Sequence, residues 1–292
     1  MTVDPLLTTP AWSFGGGGGF GVSVSTAGDV NDDGYDDVIV GAYRYANPQA
    51  DEGAAFVYHG SPSGLGTSHA WVVEGNQEGA EFGYSVSAAG DVNGDGFDDV
   101  IVGASFFSNG DSGEGRASVF HGSASGLSTS AAWTAEGNQA QAYFGRQVSG
   151  AGDVNGDGYD DVIVGAYLYD NPESGEGRVF VYHGSASGLH TTPDRTADGD
   201  PAYAFFGISV SSAGDVNGDG YDDVIVGAGG YDNLHYDEGR AFVYFGSAGG
   251  LGLTPDWIAE SNQDDAWFGN SVSSARDVNG DGYDDVIVGA YY

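Results

Sequence analysis

Acidic and amide side chains recur at a fixed spacing in five copies of one string, D-V-N-G-D-G-Y-D-D-V-I-V-G-A or a close variant of it. The copies begin at Asp29, Asp91, Asp153, Asp215 and Asp277. Each places side-chain oxygens at positions 1, 3, 5 and 9, around a glycine at position 6 that permits a left-handed turn. Hard oxygen ligands at alternate positions of a bent loop suit calcium, which takes about six to eight oxygens. Magnesium fits less well, because it prefers few protein ligands in a rigid octahedron.

The predicted ligands are the side chains at positions 1, 3, 5 and 9 and the backbone carbonyl at position 7. They are Asp29, Asn31, Asp33, Tyr35, Asp37, Asp91, Asn93, Asp95, Phe97, Asp99, Asp153, Asn155, Asp157, Tyr159, Asp161, Asp215, Asn217, Asp219, Tyr221, Asp223, Asp277, Asn279, Asp281, Tyr283 and Asp285. The first loop has Asp32 where the others have glycine, and Arg276 replaces a glycine just before the fifth loop. The sequence therefore predicts about one calcium ion per string, and up to five in the chain.

An acidic turn held by side-chain-to-backbone hydrogen bonds, with no metal, is the alternative interpretation of each string. It leaves several carboxylates close together without a cation, which is costly, so we favour the metal. An EF-hand is a poor match, because Val102 stands at position 12 and the β-branched run that follows favours a strand. We expect the acid at position 8, such as Asp98, to point outward as a solvated charge or to cap a nearby amide.

The strings start 62 residues apart, and each unit contains four short strand patterns. In the second unit these are Phe82–Ala88, Val100–Val102, Ala117–Phe120 and Ala131–Glu136, separated by Gly, Asp, Asn and Ser. Such repetition predicts an all-β fold, a β-propeller of four-stranded antiparallel blades. A β-solenoid is the competing architecture, but its coils are usually much shorter.

We expect residues 1–292 to form one propeller domain, in which residues 1–19 supply an outer strand and a glycine-rich connection. The fifth unit ends after its second strand pattern, so its blade is predicted to be incomplete and the chain to be a fragment of a larger propeller. Open blade edges would allow self-association. The units begin near Phe20, Phe82, Phe144, Phe206 and Phe268.

Composition excludes several classes of function. With 43 acids against 7 basic residues the net charge is −36, which would repel nucleic acid and anionic lipid. Cysteine is absent, so disulfides and thiol chemistry are excluded. No apolar run approaches the roughly 18 residues of a membrane span, and the first ten residues do not predict a secretory signal.

An enzyme is not indicated by any of the motifs. The sequence shows no P-loop, no H-E-x-x-H and no Ser/His/Asp order, so no catalytic residue is assigned. Paired carboxylates can serve a glycosidase, but here they recur in every unit, whereas an active site is normally built once.

The combined pattern, a Phe-Gly pair such as Phe82-Gly83 followed by the acidic string, resembles the FG-GAP repeat of the integrin α-chain amino-terminal propeller and its bacterial and fungal relatives. The resemblance covers nearly the whole chain. It implies a propeller, often of seven blades, with calcium in the loops between first and second strands. It also implies an extracellular or cell-surface location and a protein or glycan ligand. One departure is Gly-Ala-Tyr in place of Gly-Ala-Pro, at Tyr43, Tyr167 and Tyr291.

The main functional hypothesis is a non-enzymatic, calcium-binding module for adhesion or protein binding. A calcium-dependent lectin and an accessory propeller of a larger secreted enzyme are the alternatives. Four variable loops between second and third strands mix Tyr, Phe, Asn and Asp, which suits sugar stacking, although turn chemistry explains the same residues. These loops are Tyr43–Asp51, Ser105–Ser112, Tyr167–Ser174 and Gly229–Asp237.

Overall fold

The computed structural model describes residues 12–291, and all eighteen of its regular elements are β-strands. The outer strand predicted within residues 1–19 falls largely on residues 1–11, outside the described part of the chain. Within residues 12–291 no helix has the length and apolar character needed to cross a bilayer.

The strands form four complete four-stranded antiparallel sheets and one two-stranded sheet, each paired in sequence order. The first blade contains β1 (Phe20–Gly28), β2 (Asp37–Ala42), β3 (Ala54–Tyr58) and β4 (Trp71–Glu74). The second contains β5 (Phe82–Gly90), β6 (Asp99–Ala104), β7 (Arg116–Phe120) and β8 (Trp133–Glu136). The third contains β9 (Gln147–Gly152), β10 (Asp161–Ala166), β11 (Arg178–Tyr182) and β12 (Arg195–Asp198). The fourth contains β13 (Phe206–Gly214), β14 (Asp223–Ala228), β15 (Arg240–Tyr244) and β16 (Trp257–Glu260), and the fifth contains β17 (Ser271–Arg276) and β18 (Asp285–Gly289).

The second strand of each complete blade explains why the blades stack face to face. Its D-V-I-V-G-A sequence is buried on both faces in β6. Ile39 of the first blade packs in one cluster with Val100 and Val102 of the second blade, so successive sheets share a core. The first strands also contact one another in order along the chain, from β1 to β17. This arrangement confirms the predicted all-β propeller of four-stranded blades, with an incomplete fifth blade.

Glycine permits a very close approach between neighbouring blades. A Cβ atom on Gly103 of β6 would lie 2.0 Å from the carbonyl oxygen of Gly145 in the next blade. Gly165 and Gly227 stand in the same relation to the blades that follow them. The G of the V-I-V-G-A string is therefore fixed by blade stacking.

The two terminal blades expose faces that are buried elsewhere. Val24 of the first blade is 60% exposed, whereas its counterpart Val86 is 4% exposed. Ile287 of the fifth blade is 60% exposed, whereas Ile101 is fully buried. Trp12 covers part of the exposed face of the first blade, and its indole N–H donates to the Gly66 carbonyl. The outer-strand Trp71 makes the corresponding bond to the next blade, where its indole N–H donates to the Ser128 carbonyl.

Candidate functional site

The acidic strings form tight loops that join the first and second strands at one end of each blade. In the second blade the loop leaves β5 at Gly90 and enters β6 at Asp99. The Asp91 carboxylate accepts hydrogen bonds from the N–H groups of Gly94, Asp95 and Gly96, at 2.7, 3.1 and 2.8 Å. Gly96 has a φ of 88°, so the predicted left-handed turn at position 6 is confirmed.

The side chains at positions 1, 3 and 5 lie next to one another. Asn93 accepts a bond from the Asp95 N–H at 2.8 Å and donates its side-chain N–H to Asp95 Oδ2 at 3.0 Å. The third, fourth and fifth loops repeat the bonds to position 1. The first loop keeps two of them, to Asp29, although Asp32 takes a positive φ of 54° in place of glycine.

In the four complete blades the aspartate at position 9 is fully buried, and it connects the loop to the end of the third strand. In the second blade Asp99 Oδ2 accepts a bond from the Val92 N–H at 3.2 Å, and Oδ1 accepts one from the Gly122 N–H at 2.8 Å. Burial, together with the charges of Asp95 and Asp91 and opposed in part by these two bonds, raises the pKa of Asp99 to about 8. Burial likewise raises the pKa of Asp161 to about 8.

These positions bear directly on the predicted calcium sites. Within residues 12–291, no three His, Asp or Glu side chains stand close enough together to hold a metal ion. The donor set of a loop is nevertheless all oxygen, with two carboxylates and an amide side by side. A cation there would stabilise the ionised form of Asp99, whose raised pKa records the burial of a negative charge. The chemistry of these donors suits calcium, but their spacing in this structure does not close a metal site, and calcium binding stays a prediction.

The aspartate at position 8 links successive blades. Asp98 Oδ2 accepts a bond from the N–H of Asp29 in the preceding blade at 2.8 Å, and the Asp98 N–H donates to the Asp29 carbonyl at 3.3 Å. Of the two expectations for this residue, the amide cap is confirmed and the outward, solvated charge is wrong. The same side-chain bond joins Asp160 to Asp91, Asp222 to Asp153 and Asp284 to Asp215.

The position-8 aspartates lie in close contact with the preceding loop. A Cβ atom on Gly90 would lie 2.1 Å from Asp160 Oδ2. Burial also raises the pKa of Asp160 to about 6, because the loss of water outweighs the bond from the Asp91 amide. The inter-blade bond spans 69 residues, so it depends on blade stacking and has no signal within one string.

The opposite end of the blades carries a row of aromatic side chains. Ring centroids in consecutive pairs are 4.8, 5.9, 6.0 and 6.1 Å apart. This aromatic row consists of Phe106, Tyr143, Tyr167, Phe205 and Trp267. Phe106 and Tyr167 belong to the variable loops that the sequence singled out. The other three were missed, although each directly precedes a Phe-Gly pair, which is the signal that could have found them.

The FG-GAP repeat profile matches five segments, at residues 20–58, 82–120, 144–182, 206–244 and 268–292. These segments cover the Phe-Gly pairs, the acidic loops and the first three strands of each complete blade. The chain belongs to the FG-GAP repeat family.

Two integrin chains are similar to this FG-GAP protein in sequence. Integrin alpha-V of Gallus gallus is 35% identical over 272 residues, which is 89% of this chain and 25% of that protein. Integrin alpha-5 of Xenopus laevis is 34% identical over 221 residues, which is 72% of this chain and 20% of that protein. The FG-GAP chain thus spans a quarter or less of the length of these relatives.

Two solved structures are similar at lower identity. An exotype rhamnogalacturonan lyase, YesX, aligns with a TM-score of 0.44 and 16% identity over 93% of this chain and 56% of its own. The rhamnogalacturonan lyase YesW aligns with a TM-score of 0.45 and 17% identity over 89% of this chain and 49% of its own.

Proposed function

We propose that this FG-GAP protein is a non-enzymatic, calcium-binding propeller that acts outside the cell or on its surface as an adhesion or protein-binding module. Its similarity to integrin α chains supports an adhesion or protein-binding role in general terms. The observation that carries the finer proposal is the oxygen-lined loop, in which the position-6 amide donates to the first aspartate in all five copies.

Calcium would be held by the side chains at positions 1, 3, 5 and 9 and the carbonyl at position 7, as the sequence predicts. When bound, a divalent cation supplies positive charge to a loop that gathers several carboxylates. The chain's own part is to orient these oxygens through the amides at positions 4 to 6. It also holds the buried position-9 carboxylate against the start of the loop and the end of β7, through the Val92 and Gly122 amides in the second blade. Each bound ion would remove two negative charges from a net charge of −36.

A non-enzymatic role is proposed because the paired acids are structural in every blade. Asp99 and its counterparts accept backbone N–H bonds with both carboxylate oxygens, so they fasten the loop. An acid that donates or accepts a proton in a reaction needs access to a substrate, whereas Asp37, Asp99, Asp161 and Asp223 are fully buried.

Thermal unfolding with and without calcium tests this proposal. We expect calcium to raise the melting temperature by about 10 °C or more relative to chelator, because it binds the folded loops only. Site affinities should be modest, on the order of 10⁻⁴–10⁻³ M. Asp157→Asn in the third loop should reduce the calcium-dependent shift, and Asp111→Asn, on an exposed loop away from the strings, should not.

An unchanged melting temperature in chelator would refute the structural role of calcium. Isothermal titration would then count the sites independently, and the five loops predict a stoichiometry near five. Equal shifts with magnesium and calcium would contradict the assignment of the ion, because the loop geometry favours the larger cation.

A calcium-dependent lectin is a second candidate, and the aromatic row is the observation that favours it. Aromatic faces with neighbouring hydroxyl and carboxylate groups suit sugar rings, which stack on apolar surfaces and form directed hydrogen bonds. A glycan array probed with the calcium-loaded chain, with a chelated control, tests this function. Binding to no sugar by a folded chain would rule it out and favour a protein partner.

A further inference from the structure

A hollow of about 270 Å³ opens at the aromatic end of the first three blades. It lies at the ends of the strands remote from the acidic loops, since β5 begins there and β6 ends there. Its polar and aromatic lining includes Arg44, Glu81, Tyr84, Tyr143, Arg146 and Tyr167. The volume is close to the lower limit of about 300 Å³ for small-molecule pockets, so one sugar-sized group would fill it.

Arg146 makes this hollow different from every other part of the repeat. The residue after the Phe-Gly pair is Val22, Tyr84, Ile208 or Asn270 in the other units. The Arg146 guanidinium lies 3.7 Å from the centroid of the Tyr84 ring and 5.9 Å from that of Tyr167. The position therefore varies from unit to unit and carries a charge only in the third, where it lies between two aromatic rings.

The charge of Arg146 has no carboxylate within 4.0 Å in the described residues 12–291. The arginines of the third strands differ, because Arg116, Arg178 and Arg240 each pair with an acid on the fourth strand. Burial lowers the pKa of Arg146, which shows that its cation is partly removed from water. The charge of Glu81 and a hydrogen bond with Tyr167 oppose this shift, but neither forms a close ion pair with Arg146. Burial of a cation that is only partly compensated is costly, and a ligand carboxylate would offset the remaining cost.

The surroundings concentrate positive charge in a strongly acidic molecule. The chain has seven arginines and no other basic residue except histidine, and two of the seven line this hollow. Arg44 lies 4.9 Å from the Tyr43 ring centroid and is exposed, so it can approach a ligand from the rim. With two arginines against one lining carboxylate, Glu81, the hollow carries a net positive charge in a molecule of net charge −36, which favours an anionic ligand.

We propose that the hollow binds the carboxylate-bearing ring of an acidic sugar residue, a uronic acid. Arg146 takes the carboxylate with the free edge of its guanidinium, since a planar fork matches a carboxylate in two parallel bonds. Glu81 accepts hydrogen bonds from ring hydroxyls, and the Tyr143 and Tyr167 rings, 5.9 Å apart at their centroids, present apolar faces to the sugar. This inference rests on the second candidate function, carbohydrate binding.

An acidic peptide side chain fits the hollow less well. It has no hydroxyls for Glu81, which would then face the ligand carboxylate without a compensating bond. It also has no flat apolar face for the tyrosine rings. A highly acidic protein partner would further be repelled by the net negative charge.

Titration with D-galacturonate and with D-galactose, followed by calorimetry or by ligand-observed NMR, tests the proposal. The wild-type chain should bind the uronate at least about tenfold more tightly than the neutral sugar, and added salt should weaken binding. Arg146→Ile should lose that preference and should still fold, because Ile208 occupies the same position in the fourth blade. Arg146→Lys should bind at an intermediate level, because it keeps the charge and loses the fork.

Arg178→Gln, on an ion-paired third strand outside the hollow, is the matched control and should bind as the wild type does. Equal affinity for both sugars, or an unchanged preference in Arg146→Ile, would overturn the site. Tighter binding of a short glutamate peptide than of galacturonate would also overturn it, in favour of an acidic protein side chain. A chain that binds neutral glycans on the array but shows no preference for uronate would keep the carbohydrate function and lose only the carboxylate site.

Discussion

The two ends of the blades are built on opposite principles. At the acidic end, Asp91 and its counterparts receive the same amide bonds in loop after loop. At the aromatic end, the corresponding connections differ in sequence from blade to blade, and one blade alone contributes Arg146. Repetition suits a task that every blade shares, such as holding an ion or a neighbour. A departure at one position suits recognition of one ligand.

This difference teaches where to look for specificity in a repeat protein. The acidic loops could be exchanged between blades with little change in their bonds. The hollow could not be moved, because it draws Arg44 from the first blade, Glu81 from the second and Arg146 from the third. We therefore expect binding specificity to depend on the aromatic end, and stability to depend on the acidic end and the stacked strands.

Blade stacking supports both ends, so substitutions that disturb it should cause the largest loss of stability. Gly165→Ala should lower the free energy of unfolding by more than about 4 kcal/mol, because its Cβ would lie 2.1 Å from the Gly207 carbonyl oxygen and force a backbone shift. Gly289→Ala in the fifth blade is the matched control, since its nearest neighbours would lie 3.6 Å away. Equal destabilisation of the two variants in denaturant titrations would contradict this account.

The aspartates of the acidic end should also make the stability of the protein depend on pH in calcium-free buffer. The pKa of about 8 for Asp99 and Asp161 lies above the unfolded value of about 3.9, so the folded state binds these protons more tightly. Stability should rise by roughly 2 kcal/mol per aspartate as the pH falls from about 8 to about 6, and this gain is lost as the pH rises through about 8. Calcium should flatten the dependence. A calcium-free melting temperature that falls on this acidification would rule the explanation out.

The bond between blades can be measured by itself. Asp160→Ala should cost about 1.5–3 kcal/mol, because it removes a charged acceptor from the Asp91 amide of the preceding blade. Asp36→Ala is the control: Asp36 holds the same position in the first blade and is exposed, so its loss should change stability by less than about 0.5 kcal/mol. If both variants unfold at the same denaturant concentration, the inter-blade bond contributes nothing.

The smallest change in stability is expected when an ion pair between the third and fourth strands is removed. Arg178→Gln removes the pair with Asp198 across β11 and β12, and it also removes the guanidinium from the face of Tyr169. Exposed pairs contribute about 0–1 kcal/mol, so the melting temperature should change by only a few degrees. A larger loss would place this pair among the main stabilising contacts.

The strands could be predicted closely from the sequence. Phe82–Ala88 was expected where β5 runs from Phe82 to Gly90, and Ala117–Phe120 where β7 runs from Arg116 to Phe120. Period-two alternation and glycine-rich turns are local signals, and they occur again in each 62-residue unit, which strengthens the prediction. The apolar V-I-V run was expected to form a strand, and in the second blade that strand, β6, is buried along its whole length.

The contacts between units could not be predicted from the sequence. Asp98 reaches an amide 69 residues away, which depends on how two sheets stack. Glu114 is almost fully buried and accepts a hydrogen bond from the Asn109 backbone amide. The surrounding sequence, Glu114-Gly115-Arg116, is typical of an exposed turn and gives no sign of this burial. The hollow gathers side chains from three blades, so no single string contains its signal. The calcium ligands were read from spacing alone and stay a prediction.

The position-8 bonds all point one way along the chain, because each blade reaches back to the loop before it. Within residues 12–291 the last of these bonds is made by Asp284 of the fifth blade, which holds the fourth loop. Under a pulling force applied at the carboxyl end, the blades should therefore detach one after another from that end. Each detachment of a complete blade would release one 62-residue unit, and at about 3.5 Å per residue the tether would lengthen by about 220 Å in each of these steps.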